Sequence, residues 1–144
     1  MDNSLDIPGY KCFVDPQTAS RPDVFVAFLS ISPAPGGRVN GRLIEVSTDD
    51  LVELDRRERN YVRVDVTDRL AGAAGGTVWS YVGTPEAHER FAGGLRSGRV
   101  VIGDEYYESV RRAFADGAPD GLAEFERLTA PPPCPIVALR RVSL

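Results

Sequence analysis

A carboxylate at position 58 sits where a helical pattern calls for an apolar side chain. Residues 47–61 read STDDLVELDRRERNY. Ser47 opens this stretch with a capping box, its hydroxyl placed to accept the Asp50 amide while the Asp50 carboxylate reaches back. Leu51 and Leu54 lie three apart on one helical face. Continuing that face leads first to Asp55 and then to Glu58, four on from Leu54 and seven from Leu51. Glu58 also falls in the expected last turn, where the carbonyl end of the helix dipole disfavours negative charge. Both features suit a group that takes up a proton and gives it back. The same residues allow another arrangement, in which Glu58 pairs with Arg57, Arg59 or Arg63 at the surface.

The flanking elements must position that side chain. Ile7-Pro8-Gly9 marks a turn before an extended segment at 10–14, which Asp15-Pro16 ends. Residues 24–31 (VFVAFLSI) form the most apolar run, bounded by Pro22 and Pro33, and predict a buried central strand. After a Pro/Gly loop, residues 39–46 (VNGRLIEV) predict another strand, with Gly41 suggesting a bulge. The capped helix follows and is expected to stop near Asn60, a residue that tolerates left-handed backbone. Residues 61–66 (YVRVDV) alternate as a strand, placing Tyr61 close to Glu58 in sequence. GAAGG at 72–76 is a connection and no phosphate loop, since neither Lys-Ser nor Lys-Thr follows.

The second half reads as a strand at 77–82 (TVWSYV), then a helix started by Thr84-Pro85-Glu86 and ending around Gly93-Gly94. A stronger helix opens at Gly103-Asp104, in which Tyr106, Val110 and Phe114 repeat at helical spacing. A third helix spans 122–128. A final strand at 136–139 leads to Arg140 and Arg141. Strands and helices do not alternate regularly, so the expected class is α+β with antiparallel pairing and helices packed outside.

At 144 residues the chain is expected to form one domain with a core of its own. Its net charge of −4 argues against a nucleic-acid binder, which usually shows a basic face. Met1 to Leu5 lacks the pattern of a secretory leader, and no apolar run reaches the length of a membrane span. A cytoplasmic protein with free thiols at Cys12 and Cys134 is the expectation. The single histidine, His88, reads as a helix-surface residue, and no ligand cluster calls for a metal or cofactor.

Taken together, VNGRLIEV, a capped helix ending Leu-Asp-x-x-Glu, a tyrosine with an alternating strand, VWSYV and the later Asp-Glu-Tyr-Tyr helix resemble the γ-glutamylcyclotransferase-like (AIG2/ChaC-like) family. The resemblance covers roughly residues 9–115, and LDRRERNYVRV is its most specific part. It implies a small, mostly antiparallel β-barrel flanked by helices. The implied reaction closes a γ-glutamyl group to 5-oxoproline and releases an amine, without metal or cofactor. It places the family's acid/base glutamate on Glu58 and substrate-binding tyrosines on Tyr61 and Tyr106, with Tyr107 the neighbouring alternative. The family's Tyr-Gly-Ser loop, whose amides hold the developing oxyanion, has no match. Asn3-Ser4-Leu5 lacks both the glycine and a preceding strand, which leaves a start upstream of Met1 or a degenerate member as explanations. Two other readings follow: a binding module for small γ-glutamyl or carboxylate ligands without turnover, or an interaction domain whose exposed sheet edge pairs as a homodimer.

Overall fold

Ser47 caps the first helix as its sequence requires. In the computed structural model, which describes residues 1–5, 11–72 and 75–143, the Asp50 amide donates to Ser47 Oγ at 3.1 Å and the Ser47 amide to Asp50 Oδ2 at 2.9 Å. Helix α1 (Thr48–Arg57) therefore begins where the capping box places it. It ends three residues before Asn60, and Ala19 is the only non-glycine residue with positive φ among the described residues. Asn60 holds the following turn differently: its side chain accepts from Arg90 Nη2 at 2.7 Å and its carbonyl from the Thr84 amide at 3.0 Å.

Helix α2 (Pro85–Arg96) starts with Thr84 Oγ1 accepting from the Ala87 amide at 3.2 Å and with proline in its first turn. It runs through Gly93-Gly94 instead of ending there. Gly94 is buried, and a Cβ on it would lie 2.6 Å from Val100 Cγ2 and 3.0 Å from Phe25 Cδ2. The glycine lets the helix approach the strands closely. Gly94→Ala is expected to destabilise by about 1–2 kcal/mol, overpacking outweighing the gain in helix propensity. A lower urea midpoint checks this, and an unchanged midpoint would mean that the contact relaxes freely.

The strands are β1 (Lys11–Val14), β2 (Phe25–Val26), β3 (Tyr61–Asp65), β4 (Trp79–Gly83), β5 (Val100–Gly103), β6 (Ile136–Val137) and β7 (Arg140–Ser143); α3 (Asp104–Gly117) and α4 (Gly121–Leu128) lie between β5 and β6. β1 pairs with β7 and β3 with β4, both antiparallel, while β2, β5 and β6 form a parallel sheet with β5 in the middle. The fold is mixed α/β, with two of four ladders parallel where mostly antiparallel pairing was expected. None of the three sheets closes into a barrel among the described residues. Parallel neighbours need long crossovers, and α3 with α4 supplies the one from β5 to β6. Strand β5 is missing from the sequence reading because VVIG is only four residues long and runs directly into a helix.

Two expected strands differ. Of residues 24–31 only Phe25–Val26 is strand, with the Ala27 amide still donating to Val101 O at 2.8 Å. Residues 39–46 form none: Val39, Leu43 and Ile44 are 60%, 58% and 71% exposed, and Gly41 makes no bulge. Alternating apolar residues supply a face, but a strand also needs a neighbouring backbone, and this segment has no ladder partner among the described residues. The tail divides into β6 and β7, so Arg140 and Arg141 lie inside a strand that pairs back to β1. The turn expected at Ile7-Pro8-Gly9, Tyr10, and Ala73-Ala74 of the glycine-rich connection lie outside the described residues.

The core is small. Phe13, Val26 and Leu139 are at most 6% exposed, with Met1, Val24, Phe28, Val101 and Val137 packed against them. Phe114 and Phe125 stack at 4.1 Å, joining α3 to α4. Cys12 is buried, Cys134 partly so, and both are free thiols. No helix among the described residues is long and apolar enough to cross a membrane.

Candidate functional site

Leu51, Leu54 and Glu58 are the partly buried positions between 48 and 58, and Asp55 is exposed. The helical face thus continues into the Glu58 carboxylate. Glu58 is the C-cap of α1, its amide donating to Leu54 O at 2.9 Å. Its carbonyl accepts from the Tyr61 amide at 3.0 Å, so a tight turn carries the chain from the carboxylate to the first residue of β3. The Glu58 side chain is 30% exposed, with Oε1 3.5 Å from Arg57 Nε. Shelter and ion pair, set out as alternatives in the sequence, are both present. Arg63 turns instead to Asp55, at 3.3 Å.

Tyr61 and Tyr106 meet at one residue. Tyr106 Oη accepts from the Leu29 amide at 2.8 Å, and Tyr61 Oη donates to the Leu29 carbonyl at 3.3 Å. Three residues beyond the end of β2, both polar groups of Leu29 are therefore taken by phenols and not by a ladder. Phe28 places its ring edge-on to Tyr106 at 5.0 Å between centroids. Burial pushes the Tyr106 phenol pKa up, the Leu29 amide draws it down, and the Glu58 charge raises it again. Carboxylate and phenol therefore act on each other electrostatically. Tyr107 points elsewhere, with Arg111 Cζ 5.8 Å from its ring centroid on the same helix. Of the two adjacent tyrosines, Tyr106 is the one brought to the Leu29 peptide.

A second cluster escaped the sequence reading. Tyr81 donates to Asp55 Oδ1 at 2.7 Å, Asp55 pairs with Arg63, and Arg63 lies over the Trp79 ring at 4.8 Å. Desolvation, then the hydrogen bond to Asp55, pushes the Tyr81 phenol up. Tyr61, Arg63 and Tyr81 share one face of the β3–β4 hairpin, where Arg63 and Tyr81 are register partners. With Asp55 and Val62 they line an open hollow of about 350 Å³. Asp55 was visible in sequence as the polar residue four on from Leu51, but its partner is 26 residues away. A larger hollow of about 470 Å³ lies between Asn40–Arg42 and the α3–α4 joint, away from Glu58 and both tyrosines. His88 is exposed, as expected, although its ring lies close to Gly83.

The C-cap residue of α1, Glu58, thus acts electrostatically on Tyr106, whose hydroxyl meets that of Tyr61 at the Leu29 peptide. The family model for gamma-glutamyl cyclotransferase, AIG2-like, matches residues 5–109, and the chain belongs to that family. No curated protein and no solved structure gave a significant match.

Proposed function

We propose that this chain is a cyclotransferase acting in the cytoplasm on a γ-glutamyl amine, peptide or modified amino acid, with Glu58 as acid/base. The observation that carries the reading is the meeting of Tyr61 and Tyr106 at Leu29, in the electrostatic range of Glu58. Glu58 takes a proton from the substrate α-amine, whose nitrogen then attacks the γ-carbonyl carbon. As that carbon–nitrogen bond forms, negative charge develops on the carbonyl oxygen. Tyr106 already accepts from the Leu29 amide, so its own hydroxyl hydrogen is the donor it has to offer that oxygen. Glu58 returns the proton to the departing nitrogen, the second carbon–nitrogen bond breaks, and 5-oxoproline and an amine leave.

Incubation with a panel of γ-glutamyl amides and detection of 5-oxoproline by mass spectrometry tests the reading. Tyr106→Phe is expected to lower kcat/KM by about 10- to 100-fold, a loss of one transition-state hydrogen bond. Equal kcat/KM in that variant would remove Tyr106 from the mechanism. A second reading, a binding member without turnover, is favoured by the Arg57–Glu58 ion pair, which engages the proton acceptor. Saturable binding of γ-glutamyl ligands with no 5-oxoproline formed would select it.

A further inference from the structure

Lys11 is the only lysine in the chain. It stands on β1 on the same face as Phe13, with Nζ 4.7 Å from the Phe28 ring centroid and 6.0 Å from that of Phe13. The ammonium and the Tyr106 ring thus border the same Phe28 ring, one residue before the Leu29 peptide that both site tyrosines hold. Among the described residues no carboxylate lies within ion-pair distance of Nζ. Among the described residues, Arg141 of β7 acts on it most, then Glu58 in the opposite sense, then Arg57 of α1. Burial and then Arg141 push its pKa below the ordinary lysine range. A desolvated cation held over an aromatic ring, with no carboxylate paired to it among the described residues, is suited to an anionic ligand group.

A γ-glutamyl group carries such an anion. Its α-carboxylate takes no part in ring closure, yet it must be held if the adjacent amine is to face the γ-carbonyl. We propose that Lys11 binds the α-carboxylate of the γ-glutamyl group, with Phe28, whose ring also meets that of Tyr106, orienting the ammonium. The assignment rests on the cyclotransferase reading for its ligand class, and the two are separable by experiment. Lys11 is a positioning residue, not a proton carrier.

The probes are γ-glutamyl ethylamide and the same molecule with its α-carboxylate converted to a carboxamide. Calorimetry on the full chain is expected to show the carboxylate form bound about 10- to 100-fold more tightly, the scale of a hydrogen bond between charged groups. Lys11→Met is expected to bring that ratio close to one by weakening only the carboxylate form, and Lys11→Arg to keep part of it. A ratio unchanged in Lys11→Met overturns the assignment, whether or not 5-oxoproline is formed. A Lys11-dependent ratio without any product overturns the cyclotransferase reading and leaves the assignment standing. If Lys11→Met does not fold, the wild-type chain still answers. Its single ε-amine can be acetylated with acetic anhydride and followed by peptide mass, with the Met1 amine as internal reference. Slower acetylation of Lys11 with γ-glutamyl ethylamide present, but not with the carboxamide, supports the assignment; equal rates with both ligands overturn it.

Discussion

Glu58→Gln is expected to lower 5-oxoproline formation by about 10²- to 10⁴-fold, the usual contribution of a positioned acid/base group. The amide keeps the shape of the side chain but can neither take the amine proton nor return it. The fold is expected to survive, because α1 is terminated by backbone bonds from the Glu58 amide to Leu54 and from the Tyr61 amide to Glu58, which the substitution leaves in place. The ion pair lost is with Arg57, whose side chain is 68% exposed. Pairs in such settings contribute about 0–1 kcal/mol, so Tm should move by no more than about 3 °C. Mass-spectrometric product assay and thermal melting on the same sample measure both quantities. Wild-type turnover in a folded Glu58→Gln chain would end the proposed role of this carboxylate.

Asn3→Ala is expected to destabilise the chain more than Gly94→Ala. Asn3 is fully buried, the one buried polar residue among those described. Its Nδ2 donates to the carbonyls of Phe13 at 2.9 Å and Pro22 at 3.0 Å, and its Oδ1 accepts from the Phe13 amide at 2.8 Å. Its amide also donates to Val24 O at 2.9 Å, so one residue ties the first segment to β1 and to the chain entering β2. Truncation leaves three backbone groups of the core margin without partners. Each unsatisfied buried group costs about 1–3 kcal/mol, and partial entry of water offsets some of it, so a loss of about 3–5 kcal/mol is expected. That is a large part of the total for a domain of this size. Urea unfolding by circular dichroism measures it, and a change below about 1 kcal/mol would show that the network does not hold the segment. Asn3-Ser4-Leu5 looked in sequence like a poor substitute for a substrate loop; its first residue is a structural tie.

What the sequence revealed best was local. The capping box at Ser47 and Asp50 and the start of α2 at Thr84-Pro85 each depend on groups within four residues. Their hydrogen bonds form wherever the helix forms. The helical face through Leu51 and Leu54 into Glu58 is also a matter of spacing alone, and burial along α1 follows it. Where a second partner is needed, the reading weakened. Gly93-Gly94 reads as a helix end until Val100 and Phe25 are seen packed against Gly94. Residues 39–46 read as a strand because alternation describes a face without naming a neighbour.

The sequence by itself thus determined where helices begin, which face of α1 turns inward and that an acidic group stands on it, because these depend on hydrogen bonds and periodicities spanning one or two turns. The tertiary structure alone decided that Tyr106 rather than Tyr107 meets Tyr61, that Leu29 is their common partner, that Asp55 belongs to Tyr81 and Arg63, and that Lys11 and Tyr106 border one phenylalanine ring. Those contacts join residues 32 and 77 positions apart at Leu29 and 26 apart at Asp55. No local preference encodes them. They exist because folding brings separate elements to one surface, where buried backbone and charged groups must find partners.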